Sequence, residues 1–122
     1  MGVLGVNHLA FRTPDPDRLR RFYRDLTDAE ELAGEHRPIR VGQTLLVFFE
    51  SPGGGAAEDP DEIAFDVDER GFEEVLERAR ALGCTIRGPV EHTPISKGFY
   101  LEDPDGRRLE FTYDDRGVYW RA

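Results

Sequence analysis

The sequence is short of cysteine, of lysine and of long apolar segments, and each shortage excludes a class of protein. Cys84 is the single cysteine among 122 residues, so neither an intrachain disulfide nor a cysteine-rich zinc site can form. The longest apolar run covers residues 45–49, which is too short to cross a bilayer. The first residues contain neither a basic leader nor an extended apolar stretch, so we predict no signal peptide and a cytoplasmic protein.

The charge of the chain is strongly negative. Lys97 is the only lysine, every other basic side chain is an arginine, and the formal net charge is −9 at pH 7. Phosphate contacts require clustered cations, so this charge argues against nucleic acid and against an anionic membrane as partners. Hydrophobic residues make up 39% of the chain, which is a soluble globular composition, and the length fits one domain. We therefore predict one globular domain that binds neither nucleic acid nor membrane.

Both halves of the chain show the same order of predicted elements, namely a strand, a helix and three strands. In the first half, these are a strand over 3–12, a helix from Pro16 to about Thr27, weak strands over 29–35 and 37–42, and a strong strand over 43–50. In the second half, they are a strand over 62–67, a helix that starts at Asp68 and is ended by Gly83, and strands near 84–91, 97–102 and 107–113.

An internal repeat supports this division. The segment HLAF at 8–11 aligns with EIAF at 62–65, and GQTLLV at 42–47 aligns with GRRLEF at 106–111. A unit of about 55 residues is too small to bury both faces of its sheet, so two units must pack together and leave one face as a concavity. We predict an α+β fold in which two paired βαβββ modules form a mixed-sheet cup. The predicted parts are module 1 at 1–51, a linker at 52–59, module 2 at 60–113 and a tail at 114–122.

Alternation along the strands places three chemically active side chains on the concave surface. In the first strand, Leu9 and Phe11 are the apolar pair that should meet the helix, so His8 points to the opposite face. The same reasoning turns Glu62 of the fifth strand and Glu110 of the last strand to that face. One imidazole and two carboxylates that converge in a cup are suited to a divalent metal ion. The sequence therefore predicts a metal site at these three residues.

Other residues are assigned around this predicted site. We expect substrate contacts from Arg12, Phe48, Tyr100 and Arg108. The two remaining histidines, His36 and His92, lie in polar connecting segments and are predicted to be surface residues. In the tail, Tyr119 and Trp120 are expected to cover an edge of the cup or to pack on a partner chain, since exposed terminal aromatics are costly.

Two segments resemble the opening and closing signatures of the vicinal oxygen chelate superfamily. They are NHLAFRTPDPDRLRRFYRDL at 7–26 and GFYLEDPDGRRLEF at 98–111, and the resemblance extends over essentially the whole chain. That superfamily includes glyoxalase I, extradiol dioxygenases, methylmalonyl-CoA epimerase, fosfomycin-resistance thiol transferases and bleomycin-binding resistance proteins. The resemblance implies paired βαβββ modules that form a cup, and a homodimer.

The resemblance also implies which positions would hold a metal. In metal-dependent members the ligands come from the first, fifth and eighth strands, which matches His8, Glu62 and Glu110. Glu62 stands where that superfamily usually has histidine, so the triad of two histidines and one carboxylate that iron oxygenases use is not present. The additional ligand that some members carry on the fourth strand aligns with Leu46, or with Phe48 after a shift of two residues, and both are apolar.

Two functions remain open at this stage. The first is a metal-dependent lyase or isomerase of glyoxalase type, in which Mn, Ni, Co, Zn or Mg stabilises an oxyanion of a small oxygen-bearing substrate. In a variant of this function, Glu62 does not bind the metal and instead acts as the general base. The second is a metal-free, bleomycin-resistance-like protein that sequesters a cationic aromatic ligand, favoured by the acidic charge and by Phe48, Phe99, Tyr100 and Trp120.

Overall fold

The computed structural model describes residues 2–58 and 60–114, and it divides the chain into two compact units, Met1–Gly55 and Ala56–Ala122. Each unit has the element order βαβββ, and each contains one four-stranded sheet and one helix. The predicted α+β fold of two βαβββ modules is confirmed. No helix in the described part of the chain has the length and apolar character needed to span a membrane.

The first unit is a mixed sheet with one helix on it. Its elements are β1 (His8–Thr13), α1 (Pro16–Thr27), β2 (Glu30–Glu31), β3 (Ile39–Val41) and β4 (Thr44–Glu50). The strand order is β1-β4-β3-β2, with β1 parallel to β4 and the other pairs antiparallel. The first strand begins at His8 and not at Val3 as predicted. In the described sheet β1 pairs with β4, and this pairing begins with His8 opposite Leu45.

Helix α1 begins and packs as its sequence requires. The Asp15 carboxylate accepts a hydrogen bond from the backbone N–H of Arg18 at 3.1 Å, and Pro16 occupies the first turn, where no backbone donor is needed. The Tyr23 ring stacks on Phe11 of β1 at 5.2 Å between centroids. This contact attaches the helix to one face of the first sheet, together with the buried residues Leu19 and Leu26.

The second unit repeats this plan. Its elements are β5 (Glu62–Val67), α2 (Glu69–Ala81), β6 (Arg87–Thr93), β7 (Ser96–Glu102) and β8 (Arg108–Asp114). The strand order is β5-β8-β7-β6, with β5 parallel to β8 and the other pairs antiparallel. Asp68 caps α2 by accepting a hydrogen bond from the Gly71 backbone N–H at 2.7 Å.

A row of aromatic rings forms the centre of the second core. Phe111 stacks between Phe65 and Phe99, at 5.1 and 5.4 Å between centroids, and Phe99 meets Phe72 of α2 edge to face at 5.2 Å. All four rings lie on the helix side of the sheet. The residues that alternate with them on the strands therefore point to the other side.

We expect Phe111→Ala to destabilise the protein far more than Phe49→Ala, although both changes delete the same ring. Phe111 is 1% exposed, whereas Phe49 is 38% exposed. Loss of the buried ring leaves a cavity and should lower the free energy of unfolding by about 3–5 kcal/mol. Loss of the exposed ring should cost about 1 kcal/mol or less. Urea denaturation followed by circular dichroism measures both, and equal losses would contradict this packing.

Candidate functional site

The face of the second sheet that points away from α2 carries the predicted carboxylates, and we call it the carboxylate face. Strand register arranges its side chains in cross-strand rows. One row contains Glu62 of β5, Arg108 of β8 and Glu102 of β7. The next row contains Ala64, Glu110, Tyr100 and Arg87, from β5 to β6. Four of the predicted site residues are therefore neighbours on this face, namely Glu62, Tyr100, Arg108 and Glu110.

Glu62 and Glu110 lie close enough to influence each other's charge. Burial, followed by the charge and hydrogen bond of Glu110, raises the pKa of Glu62, while Arg87 and Arg108 oppose this rise. Ala64, two residues from Glu62 on β5, lies beside Glu110 in the row. Two acids that repel each other on one sheet face are an arrangement that a cation would stabilise.

His92 belongs to the same group; it is exposed, as predicted, but it lies on strand β6 and not in a connecting segment. Its Nε2 lies 3.0 Å from Oε2 of Glu110 and 3.3 Å from the Tyr100 hydroxyl. Burial and the nearby Glu110 raise the pKa of Tyr100, so the phenol keeps its proton and remains a hydrogen-bond donor. Imidazole, carboxylate and phenol thus meet within hydrogen-bonding distance.

Gly98 makes this meeting possible. It lies on β7 on the carboxylate face, and a Cβ at this position would stand 2.5 Å from Oε2 of Glu110 and 2.8 Å from Nε2 of His92. Any other residue would push these two groups aside. The missing side chain is therefore part of the site, in keeping with the use of strand glycines where other groups must approach closely.

A pocket opens on the carboxylate face beside these residues. Its volume is about 520 Å³, and its lining residues are Glu62, Arg87, Tyr100, Glu102 and Arg108. The lining combines two carboxylates, two guanidinium groups and a phenol. Such a pocket suits a small polar molecule better than an apolar one.

In the first unit, His8 and Arg12 occupy the face of the sheet that points away from α1, as alternation predicts. Both are exposed, and Nδ1 of His8 lies 2.9 Å from Oδ1 of Asn7. The linker passes close to this strand, because the backbone N–H of Gly55 donates to the Arg12 carbonyl at 2.9 Å.

Phe48 is not on that face, and its assignment to substrate contacts is corrected. The side chain is 5% exposed and packs on the helix side against Phe11 and Tyr23. The repeat alignment was offset by one residue on this strand. Ala10 pairs with Val47 as Ala64 pairs with Glu110, so Val47, and neither Leu46 nor Phe48, occupies the position equivalent to Glu110. Val47 is also apolar, so this position supplies no metal ligand.

The structure brings two of the three predicted metal ligands together, since Glu62 and Glu110 are neighbours in the second unit, whereas His8 belongs to the first. Among residues 2–58 and 60–114, no three His, Cys, Asp or Glu side chains are close enough to form a metal site as they stand. Tyr119 and Trp120 lie outside the described residues.

A family model described as the glyoxalase/bleomycin resistance protein/dioxygenase superfamily matches residues 5–111. The chain belongs to this superfamily. The match confirms the resemblance of the end motifs to vicinal oxygen chelate proteins. In each unit of this chain the first and last strands pair in parallel, β1 with β4 and β5 with β8. The two units are the modules of that fold.

Solved structures of the superfamily show the same fold. The fosfomycin resistance protein FosX from Mesorhizobium loti is 25% identical, with 91% of this chain and 92% of that chain covered and a TM-score of 0.74. The oxidase ChaP-H1 is 25% identical, with 94% and 99% covered and a TM-score of 0.77. A glyoxalase/dioxygenase from Nostoc punctiforme is 24% identical, with 90% of each chain covered and a TM-score of 0.73.

We expect Gly98→Ala to separate His92 from Glu110 with little effect on stability. The atoms that a new Cβ would strike end flexible side chains, which can turn away. The free energy of unfolding should change by about 1 kcal/mol or less, while the ¹⁵N shifts of the His92 ring change. Gly53→Ala is the matched control, because nothing lies within 4 Å of its added Cβ. Unchanged His92 shifts in Gly98→Ala would contradict the described contact.

We expect Glu62→Gln to raise the stability of the metal-free protein at neutral pH. Since its pKa is raised on folding, the folded chain binds this proton more tightly than the unfolded chain, and stability falls as the pH rises through the folded pKa. The variant should melt at a higher temperature than the parent at about pH 7, and the difference should vanish at about pH 3, where both states are protonated. Glu77→Gln, an exposed change on α2, should show no such gain. A lower melting temperature for Glu62→Gln at neutral pH would be the contrary result.

Proposed function

We propose that this protein is a divalent-metal-dependent lyase or isomerase of glyoxalase type that acts on a small substrate bearing two oxygens. The observation that carries the proposal is the pair Glu62 and Glu110 on the carboxylate face. Burial and, after it, the charge and hydrogen bond of Glu110 raise the pKa of Glu62, which supports a close approach of the two carboxylates.

The donor set fits a hard divalent cation. Glu62 and Glu110 would supply oxygen ligands, and His8 of the first unit is proposed as the third ligand. Such a set suits Mn, Ni, Co, Zn or Mg. When bound, the cation would act as a Lewis acid that stabilises negative charge on a substrate oxygen.

The chain's own residues would orient the substrate and move a proton. In the variant of this function in which Glu62 does not bind the cation, its carboxylate would act as the general base that accepts and returns the proton. Tyr100 keeps its proton and would donate a hydrogen bond to a substrate oxygen. Arg108 lines the pocket, and Arg12 occupies the corresponding face of the first sheet; both remain proposed substrate contacts. We further propose that the protein works in the cytoplasm as a homodimer.

Two structures of the same fold are named as an oxidase and as a glyoxalase/dioxygenase, which supports an enzyme, whereas the assignment as a lyase or isomerase rests on the resemblance. FosX is named for fosfomycin resistance and ChaP-H1 as an oxidase, so the same fold supports different chemistry.

The single lysine takes no part in the pocket, because Nζ of Lys97 lies 4.5 Å from the Phe72 ring centroid and 3.5 Å from Glu73 on the α2 side.

The metal-free alternative loses most of its support. Of the four aromatic residues that suggested a site for a cationic aromatic ligand, Phe48 and Phe99 are buried in the two cores. Trp120 lies outside the described residues, and Tyr100 alone lines the pocket. One half-buried phenol is a weak basis for recognising an aromatic cation.

We expect chelator-treated protein to bind Mn²⁺ stoichiometrically in isothermal titration calorimetry. Glu110→Ala should abolish this binding, because it removes a ligand from the centre of the site. Saturation should also stabilise the fold, by about 2.7 kcal/mol at a free metal concentration of about 100 times Kd. Glu77→Gln removes one charge from α2 and should bind Mn²⁺ as the parent does.

Two results would overturn the proposal. One is a parent protein that takes up none of Mn²⁺, Ni²⁺, Co²⁺, Zn²⁺ or Mg²⁺. The other is binding that survives Glu110→Ala. A thermal-shift screen with cationic aromatic drugs in the presence of chelator then decides for the metal-free alternative if any of them stabilises the parent.

A further inference from the structure

The row that contains Glu110 ends in an arginine without an ion-pair partner in the described part of the chain. Arg87 of β6 lies beside Tyr100 in this row and lines the pocket. No carboxylate among residues 2–58 and 60–114 forms an ion pair with its guanidinium group. The positive charge of Arg87 therefore faces the pocket at the β6 end of the row, and β5 forms the other end.

The other arginine of the pocket has different register neighbours. Arg108 stands in register between Glu62 on one neighbouring strand and Glu102 on the other. Two acidic side chains therefore flank its positive charge within one row. The register neighbour of Arg87 is Tyr100 and not a carboxylate, although the charge of Arg87 still acts on Glu62 across the pocket.

A β-bulge turns Arg87 toward the pocket. Arg87 pairs with Tyr100 and Val90 pairs with Gly98, so three steps along β6 match two steps along β7. In a regular strand, residues three apart, such as Arg87 and Val90, point to opposite faces. The bulge places both on the carboxylate face. Gly88 forms the bulge with a φ of +104°, and a Cβ there would stand 3.0 Å from the Val90 backbone nitrogen.

The Tyr100 ring holds the guanidinium group in place. The Arg87 Cζ atom lies 5.4 Å from the ring centroid. A cation–π contact of this kind attracts the guanidinium group to the ring. The planar group carries several N–H donors that can bind an anion. A planar fork of donors held in advance is the arrangement that recognises carboxylate, phosphate or phosphonate oxygens.

We propose that Arg87 is an anion subsite that holds a carboxylate, phosphate or phosphonate group of the substrate. The inference rests on the proposed function, because it assigns a binding residue to the end of the substrate that lies away from its two chelating oxygens. Strand β6 lies two strands from β8, which separates the backbones of Arg87 and Glu110 by about 10 Å. Side chains that reach inward shorten this span to the length of a small organic acid or phosphonate.

The test titrates chelator-treated full-length protein with acetate or methylphosphonate at constant ionic strength, and follows the Tyr100 ring resonances by NMR. We expect a saturable shift with a Kd on the order of millimolar; the anion that binds more tightly identifies the group. Arg87→Gln should weaken binding roughly tenfold or more, and Arg87→Lys by less, since it keeps the charge and loses the fork. Arg70→Gln removes the same charge from α2, where its side chain is 89% exposed, and should leave binding unchanged.

Two results would overturn the subsite: equal shifts in Arg87→Gln and the parent, or no shift with either anion, with or without Mg²⁺. Calorimetry with Mn²⁺ separates this inference from the proposed function. Arg87→Gln should still bind Mn²⁺ stoichiometrically, because Arg87 supplies no ligand to the metal. If the parent binds no divalent metal but loses anion binding in Arg87→Gln, the metal-dependent function is wrong and the anion subsite stands.

Discussion

One helix can cover only one face of a sheet, and this constraint shapes both units. Each unit buries alternate apolar side chains under its single helix, and the intervening positions of the strands point away from that helix. On β5 and β8 the register that stacks Phe65 on Phe111 also makes Glu62 and Glu110 neighbours on the other face. The pairing of β5 with β8 thus sets both the core on one face and the site on the other. A shift of this pairing by one residue would destroy both.

Where alternation is strict, the sequence predicts the site well. The strand over 62–67 alternates apolar and polar residues, and the structure has it with the same bounds. The faces of His8, Glu62 and Glu110 follow from the same reasoning and are observed within each unit. The helices are also predictable, because Asp15 and Asp68 mark their starts by capping.

Two strands defeat this reasoning for different physical reasons. The apolar run at 45–49 on β4 is hydrophobic at every position, so alternation cannot tell which side chains face the helix, and Phe48 was misplaced. Strand β6 contains register shifts between Arg87 and Val90 and again between Glu91 and Thr93. Such bulges depend on the partner strand, so the local sequence did not reveal that Arg87 and His92 share the carboxylate face.

The placement of the basic residues has a practical consequence. Because Lys97 is the only lysine and its ammonium group lies over Phe72 on the α2 side, lysine-directed coupling to a dye or a sensor surface would attach at a single side-chain position. That position is on the opposite side of the second sheet from Glu62, Glu110 and the pocket. The nearly complete use of arginine thus makes the second unit a natural candidate for oriented immobilisation with its carboxylate face directed away from the support.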